Sequence, residues 1–148
     1  MNANRKAFLK MISVSEGTSR YPHDGYKTIV GGAQFRDYDY HPHVRVFLPK
    51  LNIYSTAAGR YQLLYRYWLA YCKSLKLTGF TPDVQDAIAL QQIRECKALD
   101  DIDNGRFDVA VKKCSRIWAS LPFATYGQHT NSLDDLRIAY VRAGGVIA

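Results

Sequence analysis

The chain has 148 residues, of which 47% are hydrophobic and 22% are charged, so it is long enough for one globular domain with its own core. Its formal net charge of +7 favours a polyanionic partner, such as nucleic acid, an anionic membrane or an acidic cell-wall polymer. The Lys and Arg residues form no run, which argues against a nucleic-acid-binding arm. Neither a signal peptide nor a transmembrane span is recognisable, and we expect the protein to accumulate in the cytoplasm where it is made.

The first predicted element is an amphipathic helix over residues 4–15. Phe8, Met11 and Ile12 recur at the spacing of one helical face. Gly17 follows this stretch, and glycine is a typical residue for ending a helix.

A β hairpin is predicted next. Residues 26–30 are β-prone, Gly31-Gly32 is a typical hairpin turn, and residues 33–35 can form the returning strand. The segment 36–56 has the composition of a loop, apart from a short β-prone piece at residues 44–48.

The second half of the chain has the apolar spacing of helices. Five further helices are predicted, over residues 57–77, 81–97, 100–104, 107–118 and from Ser132 to Gly144. Strands and helices are therefore segregated along the chain, which indicates an α+β fold. A small β-hairpin lobe beside a mainly helical lobe leaves a cleft between them, and such clefts bind long substrates.

The three cysteines, Cys72, Cys96 and Cys114, lie in helix-like stretches without Cys-x-x-Cys or Cys/His ligand spacing. Their odd number argues against a complete disulfide framework, and buried thiols are the expected state. The sequence predicts neither a metal site nor a cofactor.

Glu16 is the strongest candidate for a catalytic residue. It follows the first helix directly and lies four positions after Ile12 and eight after Phe8, so its carboxyl falls on or near the apolar face. Apolar surroundings disfavour the ionised form and raise a carboxyl pKa, which suits a general acid near neutral pH. The alternative is an exposed Glu at a helix end.

Two further stretches carry residue types that suit sugar binding. In residues 55–62, the small residues 57–59 allow close backbone approach, while Tyr61 and Gln62 offer a stacking face and an amide. In the second, Pro122 ends a helix and Tyr126-Gly127-Gln128 follows in a loop. Each stretch is also compatible with ordinary helix packing or an interhelical turn.

Together these stretches resemble the lambda-type phage endolysins, which are lytic transglycosylases that cleave the bacterial cell wall. The matching pieces cover nearly the whole chain in the family's order: Ser15-Glu16-Gly17-Thr18, Gly25-Tyr26 with residues 29–32, Ser55-Thr56 through Leu64, Gln85-Asp86-Ala87 with residues 89–93, and residues 118–122 with Tyr126-Gly127-Gln128. The resemblance implies one lysozyme-like catalytic domain over residues 1–148, with Glu16 as the catalytic acid. The candidate substrate-binding residues are Ser55, Thr56, Tyr61, Gln62, Tyr126 and Gln128.

The resemblance also implies the reaction and its setting. The β-1,4 bond between N-acetylmuramic acid and N-acetylglucosamine would be cleaved with formation of a 1,6-anhydro product, causing host cell lysis. We expect a monomer that acts on peptidoglycan glycan strands, binds no nucleic acid and inserts stably into no membrane. It would stay in the host cytoplasm until lysis and depend on a separate holin-type, membrane-permeabilising protein to reach the wall in the periplasm.

Alternatives to this interpretation stay open. A hydrolytic muramidase needs a second carboxylate about 5–9.5 Å from the first, and Asp24, Asp37 and Asp39 are candidates in polar, loop-like segments. A basic nucleic-acid-binding module is compatible with the net charge, but the cations are scattered and no binding motif is present. A noncatalytic wall-binding protein is a third possibility.

Overall fold

The computed structural model describes residues 1–124 and 131–148, which divide into two compact units. Unit 1 comprises residues 1–17, 89–124 and 131–148, and unit 2 comprises residues 18–88. Within the described residues the elements are, in chain order, α1 (Ala3–Ser15), a 3-10 turn (His23–Gly25), β1 (Val46–Leu48), β2 (Ile53–Ser55), α2 (Tyr65–Leu75), α3 (Pro82–Glu95), α4 (Leu99–Asp103), α5 (Phe107–Cys114) and α6 (Leu133–Arg142). No helix in these ranges has the length and apolarity needed to cross a bilayer.

Helix α1 confirms the first predicted helix and forms the centre of unit 1. The side chain of Asn2 accepts a hydrogen bond from the Arg5 amide at 2.8 Å and caps the N-terminus. The helix packs against α4 and α6. Phe8 is fully buried, with its ring 6.1 Å from that of Phe107 and 6.3 Å from that of Tyr140. These edge-to-face aromatic contacts fix α1 within the core.

Helix α6 begins at its predicted cap, whereas α5 ends earlier than predicted. Ser132 caps α6 by accepting a hydrogen bond from the Asp135 amide at 3.1 Å, as the capping-box pattern predicts. Helix α5 ends at Cys114, four residues before the predicted end, because the chain turns there and the amides of Ile117 and Trp118 both donate to the Cys114 carbonyl.

The predicted hairpin around Gly31-Gly32 is present only as a turn with an isolated bridge. Thr28 pairs with Gln34, and both glycines have positive φ, +92° and +110°. The regular antiparallel sheet of unit 2 lies instead in the predicted loop, where Val46 pairs with Ser55 and Leu48 with Ile53. The prediction was right for the β-prone piece at 44–48 and missed its partner strand β2.

The predicted helix over residues 57–77 was wrong in its first part, because α2 begins at Tyr65. Ala58 forms two isolated bridges, one to Ile29 and one to Leu63, and so the backbone groups of this segment are paired outside a helix. Gly59 has φ +82° and Gln62 has φ +54°, which are left-handed values incompatible with a continuous α-helix. Residues 57–64 therefore form a tight, buried loop.

Candidate active site

Glu16 closes α1 as its C-terminal cap. Its amide donates to the Ile12 carbonyl at 2.8 Å, and Gly17 follows with φ +78°, which turns the chain away from the helix. The Glu16 side chain is largely buried, and burial raises its pKa to about 7 because the charged form is poorly solvated. This is the direction predicted from its position on the apolar face.

The hydroxyl of Ser120 opposes this effect. It donates a hydrogen bond of 2.5 Å to Glu16 Oε2, which stabilises the carboxylate and lowers the pKa. Burial is the larger of the two effects, so the net pKa stays near neutrality. Glu16 can therefore be protonated or ionised within the physiological pH range, as a group that both gives and takes a proton requires.

A hydrogen-bond network fixes the Ser120 hydroxyl. The oxygens of Ser15 and Ser120 lie 2.7 Å apart. Asn131 Nδ2 donates to the carbonyls of Ser15 and Ser120, at 3.0 and 3.1 Å, and lies 3.2 Å from Ser15 Oγ. Because the Ser120 hydroxyl donates its hydrogen bond to Glu16, the Ser15 hydroxyl donates to Ser120 and accepts from Asn131. The two serine hydroxyls are thus oriented in series towards the Glu16 carboxylate.

Unit 2 contains a second polar cluster, centred on Tyr61. The Tyr61 side chain is buried, and its hydroxyl donates to Asp86 at 2.6 Å. The hydroxyl of Tyr26 donates to the same carboxylate oxygen at 2.9 Å, and Arg60 Nη1 lies 3.0 and 3.1 Å from the two tyrosine oxygens. Burial raises the pKa of Tyr61, so its hydroxyl stays protonated. The cluster holds the loop of residues 57–64 against α3.

The other described candidates for substrate binding also make hydrogen bonds within unit 2. Gln62 Nε2 donates to the carbonyls of Thr28 and Gly59, at 3.1 and 2.9 Å. Ser55 Oγ accepts from the Ala57 amide, and Thr56 Oγ1 accepts from the Tyr65 amide at the start of α2. These groups shape the loop, and their contact with substrate stays a prediction. Tyr126 and Gln128 lie outside the described residues.

The carboxylates considered as partners for Glu16 all belong to unit 2. Asp24, Asp37 and Asp39 are exposed. Asp24 has φ +54° within the 3-10 turn, and Asp37 Oδ1 accepts a hydrogen bond from the Asp39 amide at 3.0 Å. Each carboxylate thus has a solvated environment, in contrast to Glu16. Among residues 1–124 and 131–148, no three His, Cys, Asp or Glu side chains are grouped as metal ligands.

A family model described as Endolysin matches residues 6–147. The chain belongs to the endolysin family. The endolysin of Escherichia phage lambda is 51% identical over 152 residues, which cover 99% of this chain and 95% of that protein. The endolysin of Escherichia phage P2 is 46% identical over 158 residues, with 98% and 95% covered.

Two solved structures of the lysozyme of bacteriophage lambda also match this endolysin. One, complexed with a chitohexasaccharide, has a TM-score of 0.95, and the other has a TM-score of 0.91; both are 48% identical and cover 100% of this chain and 98% of theirs. The α+β, lysozyme-like fold predicted from the sequence is thereby confirmed. As an endolysin, the protein is an enzyme that acts on the peptidoglycan of the host cell wall.

Three residues of these clusters, Ser120, Asn131 and Asp86, have no role predicted from the sequence. In the endolysin Ser120 donates to Glu16, Asn131 donates to Ser15 and Ser120, and Asp86 accepts from the tyrosine hydroxyls. Ser120 and Asp86 both lie in segments that carry the family resemblance, which is the signal that could have drawn attention to them. Asn131 lies outside those segments.

Proposed function

We propose that this endolysin is a lytic transglycosylase in which Glu16 is both the general acid and the general base. The observation that carries the proposal is the buried Glu16 carboxyl, with a pKa of about 7 and a serine hydroxyl on one of its oxygens. A residue that changes protonation state near neutral pH can serve two successive proton transfers. The single catalytic domain spans residues 1–148.

The reaction begins with protonated Glu16 donating its proton to the glycosidic oxygen between N-acetylmuramic acid and N-acetylglucosamine. The bond from that oxygen to the muramic C1 breaks, and positive charge develops at C1. The Glu16 carboxylate then removes the proton from the C6 hydroxyl of the same sugar, and the C6 oxygen bonds to C1. A 1,6-anhydro end forms, Glu16 regains its proton, and no water is consumed.

The solved structure of phage lambda lysozyme with a chitohexasaccharide supports a glycan substrate. By analogy, the present chain binds a β-1,4-linked chain of N-acetylated sugars. Ser55, Thr56, Tyr61 and Gln62, together with Tyr126 and Gln128, are the residues proposed to contact it. Apolar and hydrogen-bonding faces on tyrosine and glutamine match the rings, hydroxyls and acetamido groups of such a chain.

The decisive experiment measures the mass of the muramic end after digestion of glycan strands. Transglycosylation gives an end lighter by one water than hydrolysis and leaves no reducing sugar. Abundant reducing ends would overturn the proposal and favour a muramidase that uses Asp24 or Asp37 with Glu16. Strands whose muramic C6 hydroxyl is acetylated should resist cleavage, because the proposed nucleophile is blocked.

Glu16→Gln tests the residue assignment, since it removes the acid while nearly preserving shape. General acid catalysis typically contributes about 10²–10⁴-fold, so less than a few per cent of wild-type activity should remain. Glu95→Gln is a matched control, because Glu95 is the only other glutamate in the sequence and is exposed on α3. Retained activity in Glu16→Gln would refute the catalytic role.

We further propose that the enzyme acts as a monomer and accumulates in the host cytoplasm until a holin-type protein permeabilises the inner membrane. It then acts on the wall from the periplasm. Expression alone should leave cells intact, and permeabilising the membrane with chloroform should cause rapid lysis. Lysis during expression alone would contradict the dependence on a separate protein.

A further inference from the structure

The Lys and Arg side chains form ion pairs with carboxylates in one part of the described chain and not in another. Residues 40–82 contain six Lys or Arg and no Asp or Glu. All six ion pairs found among the described residues lie in unit 1, where they use Arg5, Arg106, Lys113 and Arg137. Within the described part of the chain, the cations of residues 40–82 therefore have no carboxylate partner.

Two of these cations line a pocket of about 510 Å³ that lies entirely within unit 2. Arg45 and Arg66 contribute to its wall, together with His43 and Tyr65, and none of the residues lining it is acidic. Ile53 and Leu64 add apolar surface, and Ser55 and Thr56, which are proposed to contact the glycan, also line the pocket. The pocket thus combines cationic and hydrogen-bonding groups with an apolar wall. Its volume is large enough for a short peptide segment.

Aromatic rings hold both guanidinium groups in place. The Arg45 guanidinium lies 4.5 Å from the ring centroid of Tyr54, and the Arg66 guanidinium lies 4.9 Å from that of Tyr67. A guanidinium stacked on a ring keeps the N–H groups at its edge available for a carboxylate. Because the stacking restricts side-chain motion, binding an anion costs less conformational entropy than it would at a free arginine.

Hydrogen bonds with buried groups of unit 2 fix the position of His43 in the wall of the pocket. His43 has φ +50°, and its amide donates to His41 Nδ1 at 3.0 Å. The other ring nitrogen of His41 lies 2.7 Å from the Leu63 carbonyl. Burial lowers the pKa of His41 and keeps it neutral, so that one nitrogen donates and the other accepts. This arrangement sets the His43 ring parallel to the Tyr65 ring at 3.6 Å.

We propose that this pocket binds the carboxylates of the peptides attached to peptidoglycan glycan strands. The inference rests on the proposed function, which supplies a substrate that carries such peptides covalently. Planar guanidinium groups match carboxylates in bidentate geometry, and the apolar wall accommodates small aliphatic side chains. Nucleic acid would require a longer basic track that follows successive phosphates, whereas this pocket is local.

The test compares cleavage of peptide-bearing glycan strands with cleavage of strands stripped of peptides by an amidase. The double variant Arg45→Gln/Arg66→Gln should lower the rate on peptide-bearing strands roughly three- to tenfold, since each exposed ion pair contributes up to about 1 kcal/mol. Its rate on stripped strands should stay within about twofold of wild type. Lys73→Gln, an exposed cation on α2 outside the pocket, is the matched control and should change neither rate.

Three results would overturn the proposal: an equal loss on both substrates, no loss on either, or a loss equalled by Lys73→Gln. Binding to vesicles that contain an anionic phospholipid is measured as well. If the double variant loses vesicle binding but keeps the wild-type preference for peptide-bearing strands, the pocket binds a lipid surface and the proposal is wrong. Both arginines are exposed, and circular dichroism checks that the variants fold. The product mass from stripped strands tests the transglycosylase reaction separately, so failure of one proposal is distinguishable from failure of the other.

Discussion

Ser120→Ala should move the pH dependence of wall cleavage to higher pH. The Ser120 hydroxyl donates to Glu16 Oε2 at 2.5 Å and lowers the Glu16 pKa against the larger, opposite effect of burial. Removing the hydroxyl leaves burial in place, so the pKa of Glu16 rises above its present value of about 7. The acid form required for the first step of the proposed reaction then persists to higher pH.

The size of the shift in the Glu16 pKa follows from the free energy of the hydrogen bond that Ser120→Ala removes. A hydrogen bond to a charged group contributes about 1.5–3 kcal/mol, and one pH unit corresponds to about 1.4 kcal/mol. The alkaline limb of kcat/KM should therefore move upwards by roughly one to two pH units. The maximal rate should fall as well, because Ser120 also holds the Glu16 carboxyl in one orientation.

The assay is the rate of soluble muropeptide release from purified walls between pH 5 and 9. Ser120→Thr retains the hydroxyl and should restore the wild-type profile. Ser115→Ala is the matched control, because Ser115 donates to the Lys112 carbonyl at the end of α5 and should not move the limb. An unchanged limb, or a downward displacement in Ser120→Ala, would refute the role of this hydrogen bond.

Two further predictions concern the buried loop of unit 2. Gly59→Ala should destabilise the protein by about 1–3 kcal/mol, because Gly59 has φ +82° and a Cβ there would collide with Gln85 Oε1 and the Phe80 ring. Urea denaturation measures this loss of stability, and an unchanged midpoint would contradict the prediction. Tyr61→Phe should cost about 1–3 kcal/mol by removing a donor to Asp86. If its kcat/KM also falls at temperatures where the variant is fully folded, the proposed substrate contact of Tyr61 is supported.

Helices with local start and stop signals could be predicted from the sequence. Gly17 follows the end of α1 and Ser132 caps α6, as predicted, because these residues act on backbone groups a few positions away. The loop of residues 57–64 could not be predicted in the same way. Its apolar residues recur at helical spacing, but its backbone pairs with Ile29, almost 30 positions earlier, and tertiary pairing overrides local preference.

The residues of the candidate site differ in the same way: one could be predicted from its local sequence, and the others could not. Glu16 could be identified because its position relative to Phe8 and Ile12 depends only on the geometry of one helix. The residues that tune it could not, since Ser120 is 104 positions away and Asn131 reaches Ser15 across 116. A candidate for the catalytic carboxyl is thus visible in the local pattern, whereas its hydrogen-bond donor Ser120 depends on how the helices of unit 1 pack.

The buried carboxyl also has a consequence for stability that requires no substrate. An unfolded Glu ionises near pH 4.5, but burial raises the pKa of Glu16 to about 7 in the folded protein. Between these values the folded state binds more protons than the unfolded state, so the stability contributed by this group falls as pH rises from 4.5 to 7. Glu16→Gln abolishes the titration, while Ser120 can still donate to the amide oxygen.

The variant should therefore match wild type near pH 4 and exceed its stability at pH 8 by roughly 3–4 kcal/mol, the free energy that corresponds to a displacement of about two and a half pKa units. Urea denaturation at the two pH values measures the difference, and Glu95→Gln, which replaces a glutamate exposed on α3, is the control. If Glu16→Gln gives the same stability difference at both pH values, Glu16 titrates normally. The physical basis for its proposed role as an acid near neutral pH would then be lost, because a carboxyl that is ionised at pH 5 has almost no proton to donate at neutral pH.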